Sequence, residues 1–171
     1  DKDGNLWIAG WTDMHVKRPD EDALIASGGD VPVMQFLISD VKGEVLGVSN
    51  ENKIYQLNCA GGRISCELKG TVSALLEGEG VNSVCMDRKG RLWFNTTLGR
   101  VLRSDETMNV FENVPLDDEI DDCTILGLLS DKNSVWIITN KKVLQYNIDS
   151  QAYQNYSTAD ENIMVDVFRY K

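Results

Sequence analysis

Four times along the chain a strand-like run ends in an acidic or polar turn and restarts on a large apolar residue: Asp1 to Trp7, Asp40 to Leu46, Asp87 to Trp93 and Asp131 to Trp136. The restart residues lie 39, 47 and 43 positions apart. Periods of about 40 to 45 residues with a turn-then-Trp signature are how the blades of a propeller read. The spacing therefore predicts an all-β chain of four-stranded antiparallel blades, with function on the loops of a ring of small sheets.

The third repeat shows the order of events most cleanly. Residues 81–86 read as a first strand, 87–90 as a tight turn, 92–95 as a second strand, 101–103 as a third and 109–112 as a fourth. The second repeat is expected to place strands at 32–38, 45–48, 54–57 and 64–68, and the fourth at 124–129, 135–138, 143–146 and 152–156. The N-terminal repeat offers 6–9, 15–17 and 23–26, without a first strand. Blades are thus expected over 1–30, 31–70, 71–116 and 117–158, and 162–170 reads as the first strand of a further or ring-closing blade. If that strand pairs with the N-terminal repeat, four blades close and no sheet edge stays open. Otherwise the chain is an arc of a larger, seven-bladed kind of ring, cut from something longer, and the arc is the favoured expectation. Trp7, Trp93 and Trp136 are expected to fill the wedge between adjacent blades, where a wide aromatic suits the sheet-to-sheet contact. The Asp of each turn, and the Gly of the first three, are explained by turn chemistry, without a ligand.

Composition narrows the function. With 27 acidic against 17 basic residues, the net charge of −10 repels phosphate backbones and anionic lipid, so neither nucleic acid nor a membrane surface is an expected partner of this segment. The cysteines at 59, 66, 85 and 123 lack the spacing of a zinc site, and no metal or cofactor is expected. Cys85 reads as a small buried hydrophobe, whereas Cys59 and Cys66 flank a hairpin-like turn and leave a local disulfide open. The acidic stretch 117–122 reads as a solvated connection and not a calcium loop, because it lacks the glycine and the closing glutamate. Asn95 and Asn155 fit the glycosylation acceptor pattern.

The string Asp-x-x-Gly-x-Leu-Trp, good at Asp1 to Trp7 and Asp87 to Trp93, resembles the two-component regulator propeller repeat. Leu46 replaces the Trp in the second copy, and the fourth lacks the turn glycine and one residue. The resemblance implies a periplasmic sensor ectodomain of a membrane-spanning hybrid histidine kinase, in which paired rings respond to glycan fragments. It implies a non-catalytic module whose partners are an oligosaccharide, neighbouring blades or a second ectodomain. Two alternatives stand beside it. Streptogramin-type lyases share a similar unit but use histidine for proton abstraction, and this chain has one histidine, His15. A protein-interaction scaffold is the other.

In a four-stranded blade the loops joining strands two and three share a rim with the connections between blades. On those loops Trp11, Asp13, Asn50, Asn52, Arg100 and Asn140 supply what a sugar needs: a ring for its apolar face, and amides, a carboxylate and a guanidinium for its hydroxyls. They are the candidate ligand-binding residues. Trp11 stands out because it breaks the alternation of the strand before it.

Overall fold

The computed structural model describes residues 1–72, 76, 78–116, 120 and 123–156. The described residues form four antiparallel sheets in sequence order. The first holds β1 (Leu6–Ala9), β2 (Met14–Lys17) and β3 (Leu24–Ala26). The second runs β4 (Met34–Ser39), β5 (Val45–Ser49), β6 (Lys53–Ala60) and β7 (Arg63–Thr71). The third runs β8 (Val81–Met86), β9 (Leu92–Thr96), β10 (Val101–Ser104) and β11 (Phe111–Asn113). The fourth runs β12 (Ile125–Ser130), β13 (Ser134–Thr139), β14 (Val143–Asn147) and β15 (Tyr153–Tyr156). Every strand expected from the sequence within the described residues is present, and each sheet follows the up-and-down order of a propeller blade. The strand expected at 162–170 and most of the acidic stretch 117–122 lie outside the described residues.

Alternation along each strand sends neighbouring side chains to opposite faces, and so builds a core between sheets. On β9, Leu92 and Phe94 pack toward the second sheet while Trp93 packs toward the fourth. The apolar core accordingly divides into three clusters, one for each contact between successive sheets. Met14, Val16, Val45 and Leu57 join the first two. Leu46, Val48, Phe94 and Leu102 join the second and third. Trp93, Val135, Ile137 and Tyr146 join the third and fourth. No described cluster joins the fourth sheet to the first, so the sheets form an open arc. Leu6 and Ile8 of β1, on the face opposite Trp7, are exposed.

The first strands β4, β8 and β12 lie next to one another along the inner side of the arc. Each carries a register shift at the same place, between Met34 and Phe36, Val81 and Ser83, and Ile125 and Gly127. Such a bulge adds one unpaired residue and re-aims its side chain. Here the extra residues are Gln35, Asn82 and Leu126, and all three are exposed.

Two sequence expectations receive an answer from this architecture. Cys59 and Cys66 are free thiols, because the β6–β7 register sets Cys59 opposite Ile64 and Cys66 opposite Leu57. Diagonal neighbours across a ladder sit roughly 7–8 Å apart, too far for the bridge left open by the sequence. Asn95 is fully buried on β9, with its Nδ2 donating to the carbonyl of Ile125 at 3.2 Å, so it is no glycosylation acceptor.

Candidate functional site

The two rims of the arc carry different chemistry. At one rim lie the turns between first and second strands, where the repeated aspartate does two jobs. One carboxylate oxygen caps the turn: Oδ1 of Asp87 accepts from the N–H groups of Lys89 at 2.9 Å and Arg91 at 3.1 Å. The other holds the tryptophan: Oδ2 accepts from Trp93 Nε1 at 2.9 Å and from Arg91 Nε at 2.8 Å. Asp1 repeats this on Trp7 at 2.7 Å, and Asp131 on Trp136 at 2.7 Å. Asp40 caps its turn by accepting from the N–H groups of Lys42 and Glu44, both at 2.8 Å, but the sequence has Leu46 in the place of the tryptophan. Burial pushes the Asp87 carboxyl up, and the bonds from Trp93 and Arg91 outweigh it to hold the group below the usual carboxylate range. These carboxylates are engaged in structure, as turn chemistry requires.

Cys85, beside this turn, is buried among the residues joining the third and fourth sheets. Burial pushes its thiol up to about 12, which makes it an inert packing group.

The opposite rim carries the loops between second and third strands. The last residue of each second strand, Ser49, Thr96 or Thr139, is buried, and its hydroxyl accepts from N–H groups inside its own loop. Each loop is then tied to the chain entering its blade: Asn50 N–H donates to Val33 at 3.2 Å, Thr97 to Gly80 at 2.9 Å, and Asn140 to Thr124 at 3.0 Å. The blade connections and these loops therefore share a rim, as the sequence implied. The first loop departs from the pattern. Gly10 stands where the others have a hydroxyl, and the loop closes through its N–H to the Asp13 carbonyl at 2.8 Å. Trp11 at its tip is 97% exposed.

Two of the six candidate residues come together. Trp11 and Asn50 line one concavity of about 520 Å³, with Met34, Gln35 and Phe36 between them. The other four line neither this concavity nor its counterpart further along the rim. Asn52 takes the left-handed conformation at φ 58°, and its carbonyl accepts from Val72 N–H at 3.0 Å, a turn role. Arg100 pairs with the nearly buried Glu79 across the connection between the second and third sheets. Asn140 caps the entry to β12 by accepting from Thr124 N–H at 2.9 Å. Asp13 lies 3.8 Å from Nδ1 of the half-buried His15 on β2.

Two polar residues that line these concavities, Gln35 and Asn82, are not among the sequence candidates. Asn82 lines the counterpart concavity of about 320 Å³ with Thr97, Gly99 and Thr124, at the contact of the third and fourth sheets. The sequence marks a bulge only in β12, through the glycine at 127, and so points to neither Gln35 nor Asn82.

Residues 75–97 match the model of the two component regulator propeller family. No curated protein matches the chain. Among solved structures, the extracellular domain assigned to the hybrid two component system BT4673 from B. thetaiotaomicron superposes with a TM-score of 0.65 at 21% identity, over 94% of this chain and 23% of that one. YCF48 from Cyanidioschyzon merolae gives 0.66 at 12% identity, over 89% of this chain and 50% of that one. A catalytically inactive virginiamycin B lyase from Staphylococcus aureus, solved with quinupristin, gives 0.59 at 12% identity, over 90% of this chain and 52% of that one. The chain thus spans about a quarter of the first and half of the other two. These likenesses agree with the propeller fold. The matched segment holds the complete latch of Asp87, Gly90 and Trp93, and on that match the chain carries the two component regulator propeller repeat.

Proposed function

We propose that this chain is a non-catalytic sensing segment from the extracytoplasmic part of a two-component regulator, in the periplasm, and that its loop rim reads glycan fragments. The observation that carries the reading is the repeat match over 75–97, in a family named for two component regulators. It is supported by a similar structure that is itself described as the extracellular domain of a hybrid two component system. An exposed tryptophan beside amides is also the chemistry a sugar calls for.

A lyase reading finds less support. Its proton abstraction would fall to His15, which sits within the first sheet opposite Ile8 and Ala26 and lines neither rim concavity. A second copy of the ectodomain is the partner through which binding would reach the signal, by favouring one of two paired arrangements.

The test uses the complete protein that contains this chain. Saturable binding of an oligosaccharide by titration calorimetry, with the sugar recovered unchanged by chromatography, is the expected result. Release of a cleaved or rearranged product would replace the sensor by an enzyme, and absence of any sugar binding would remove glycan sensing.

A further inference from the structure

The loop rim differs from the rest of the surface in one respect that bears on what it can bind. In a chain with 26% charged residues, neither rim concavity has an Asp, Glu, Lys, Arg or His in its lining. Other concavities among the described residues are bounded by such groups, among them Arg91, Asp105 and Glu106 in one and Asp1, Lys2 and Glu44 in another. The charged candidates on the rim stand aside: Arg100 is paired with Glu79, and Asp13 lines neither concavity.

What does line them comes from bulged first strands, though not from equivalent ones: β4 belongs to the blade that follows the first concavity, whereas β8 belongs to the blade that supplies the loop of the second, where the β12 bulge leaves Leu126 outside the lining. Each concavity lies where the loop of one blade meets the first strand of the next. The bulges in β4 and β8 bring Gln35 into the first and Asn82 into the second. A primary amide carries two donors and an acceptor, which matches vicinal hydroxyls and carries no net charge. The first concavity adds the exposed Trp11 ring and the apolar side chains of Met34 and Phe36, and the second adds Thr97 and Thr124.

Resting on the glycan reading above, we propose that the ligand is a neutral oligosaccharide, and that Trp11, Gln35 and Asn82 are its contact residues at two subsites, one where the first sheet meets the second and one where the third meets the fourth. Trp11 is the platform for an apolar sugar face at the first subsite. Gln35 bonds hydroxyls at the first and Asn82 at the second, where its Nδ2 also donates to the Thr96 carbonyl at 3.5 Å. Uronic, sulfated and phosphorylated sugars are disfavoured, because no cationic side chain lines either concavity to pair with their charge.

The experiment titrates the complete protein with two probe sets: neutral hexasaccharides of glucose, mannose, xylose and arabinose, and oligogalacturonate of the same length. Binding of a neutral member and none of oligogalacturonate is expected. Trp11→Ala should weaken that binding about tenfold or more, through loss of the stacked area. Gln35→Ala and Asn82→Ala should each weaken it about threefold to tenfold, the value of one or two hydrogen bonds. All three side chains are exposed, so circular dichroism spectra should be unchanged. A preference for oligogalacturonate overturns the proposal. So does a neutral sugar bound equally well by all three variants, which would leave glycan sensing standing at another site. A protein that binds neither set defeats both readings.

Discussion

The same acidic turn holds a tryptophan at 93 and at 136, and the two indoles have different surroundings. Trp93 is fully buried between the third and fourth sheets, with the Tyr146 ring 5.0 Å away and the Arg103 guanidinium 5.3 Å over its face. Trp136 bonds its aspartate at 2.7 Å, against 2.9 Å for Trp93, but lies on the outward face of the fourth sheet, opposite Val135 and Ile137, with the Tyr156 ring 5.6 Å away. The comparison separates two properties that the motif joins. The latch forms wherever the turn sequence forms, because donor and acceptor lie five or six residues apart on one hairpin. The stability drawn from the tryptophan depends on whether a second sheet covers it.

The largest difference between the two sites should follow removal of the rings. Trp93→Ala opens a cavity in the joint core and should cost about 3–5 kcal/mol. Trp136→Ala removes a half-covered ring and should cost about 1–2 kcal/mol. Hydrogen exchange of the β9 and β13 amides in the complete protein reads both locally. Equal losses would mean that the latch, and not the covering sheet, sets the stability. Next come the carboxylates. Asp87→Ala leaves the buried Trp93 Nε1 and the Arg91 guanidinium without their acceptor, at about 2–4 kcal/mol. Asp131 is exposed and water can replace it, so Asp131→Ala should cost about 1 kcal/mol or less.

How much of this could be read in advance depended on whether the signal was local. The turn, the restart residue and the alternation of β9 are all short-range patterns, and they placed every described strand. Leu46 in the tryptophan position was also legible, as a degraded copy that still faces the next sheet. The rim was harder. Arg100 and Asn140 have the right chemistry for a ligand, yet the side chain of each is engaged by a group elsewhere in the chain, Glu79 and Thr124, while Asn52 serves the turn through its backbone, whose carbonyl accepts from Val72. Gln35 and Asn82 were hidden for the opposite reason, since a bulge is a property of pairing with the next strand. Trp11 was visible because it broke the alternation of the strand just before it.

Acid should separate the two latches again, by a smaller margin. The Asp87 carboxyl is held below its ordinary value in the folded chain, so the unfolded state binds the proton first. Its stabilisation is fully present above the unfolded value of about 4 and is lost as pH falls through the folded value. Protection of the β9 amides should therefore be level above about pH 5 and decline below about pH 4. Asp87→Asn should flatten that decline. Asp131 is also held low, first by its bond from Trp136, but solvent reaches it, and Asp131→Asn should change the slope less. A decline unaffected by Asp87→Asn would assign the acid sensitivity to other carboxylates.

The smallest expected effect concerns the turns themselves. Gly90 has φ 79°, and nothing lies within 4 Å of the position a Cβ would take, so Gly90→Ala meets a backbone cost without a clash. That cost is about 1 kcal/mol. Asn tolerates the left-handed region better than Ala, so Gly90→Asn should recover part of the loss. The fourth turn is one residue shorter and has no left-handed residue between Asp131 and Ser134, so Asn133→Ala should change stability by less than about 0.5 kcal/mol. Exchange at the amides of residues 89–91 and 133–135 compares the two turns directly. If Ala and Asn at position 90 cost the same, backbone conformation is not what the glycine supplies, and the open space around it leaves no packing role to take its place.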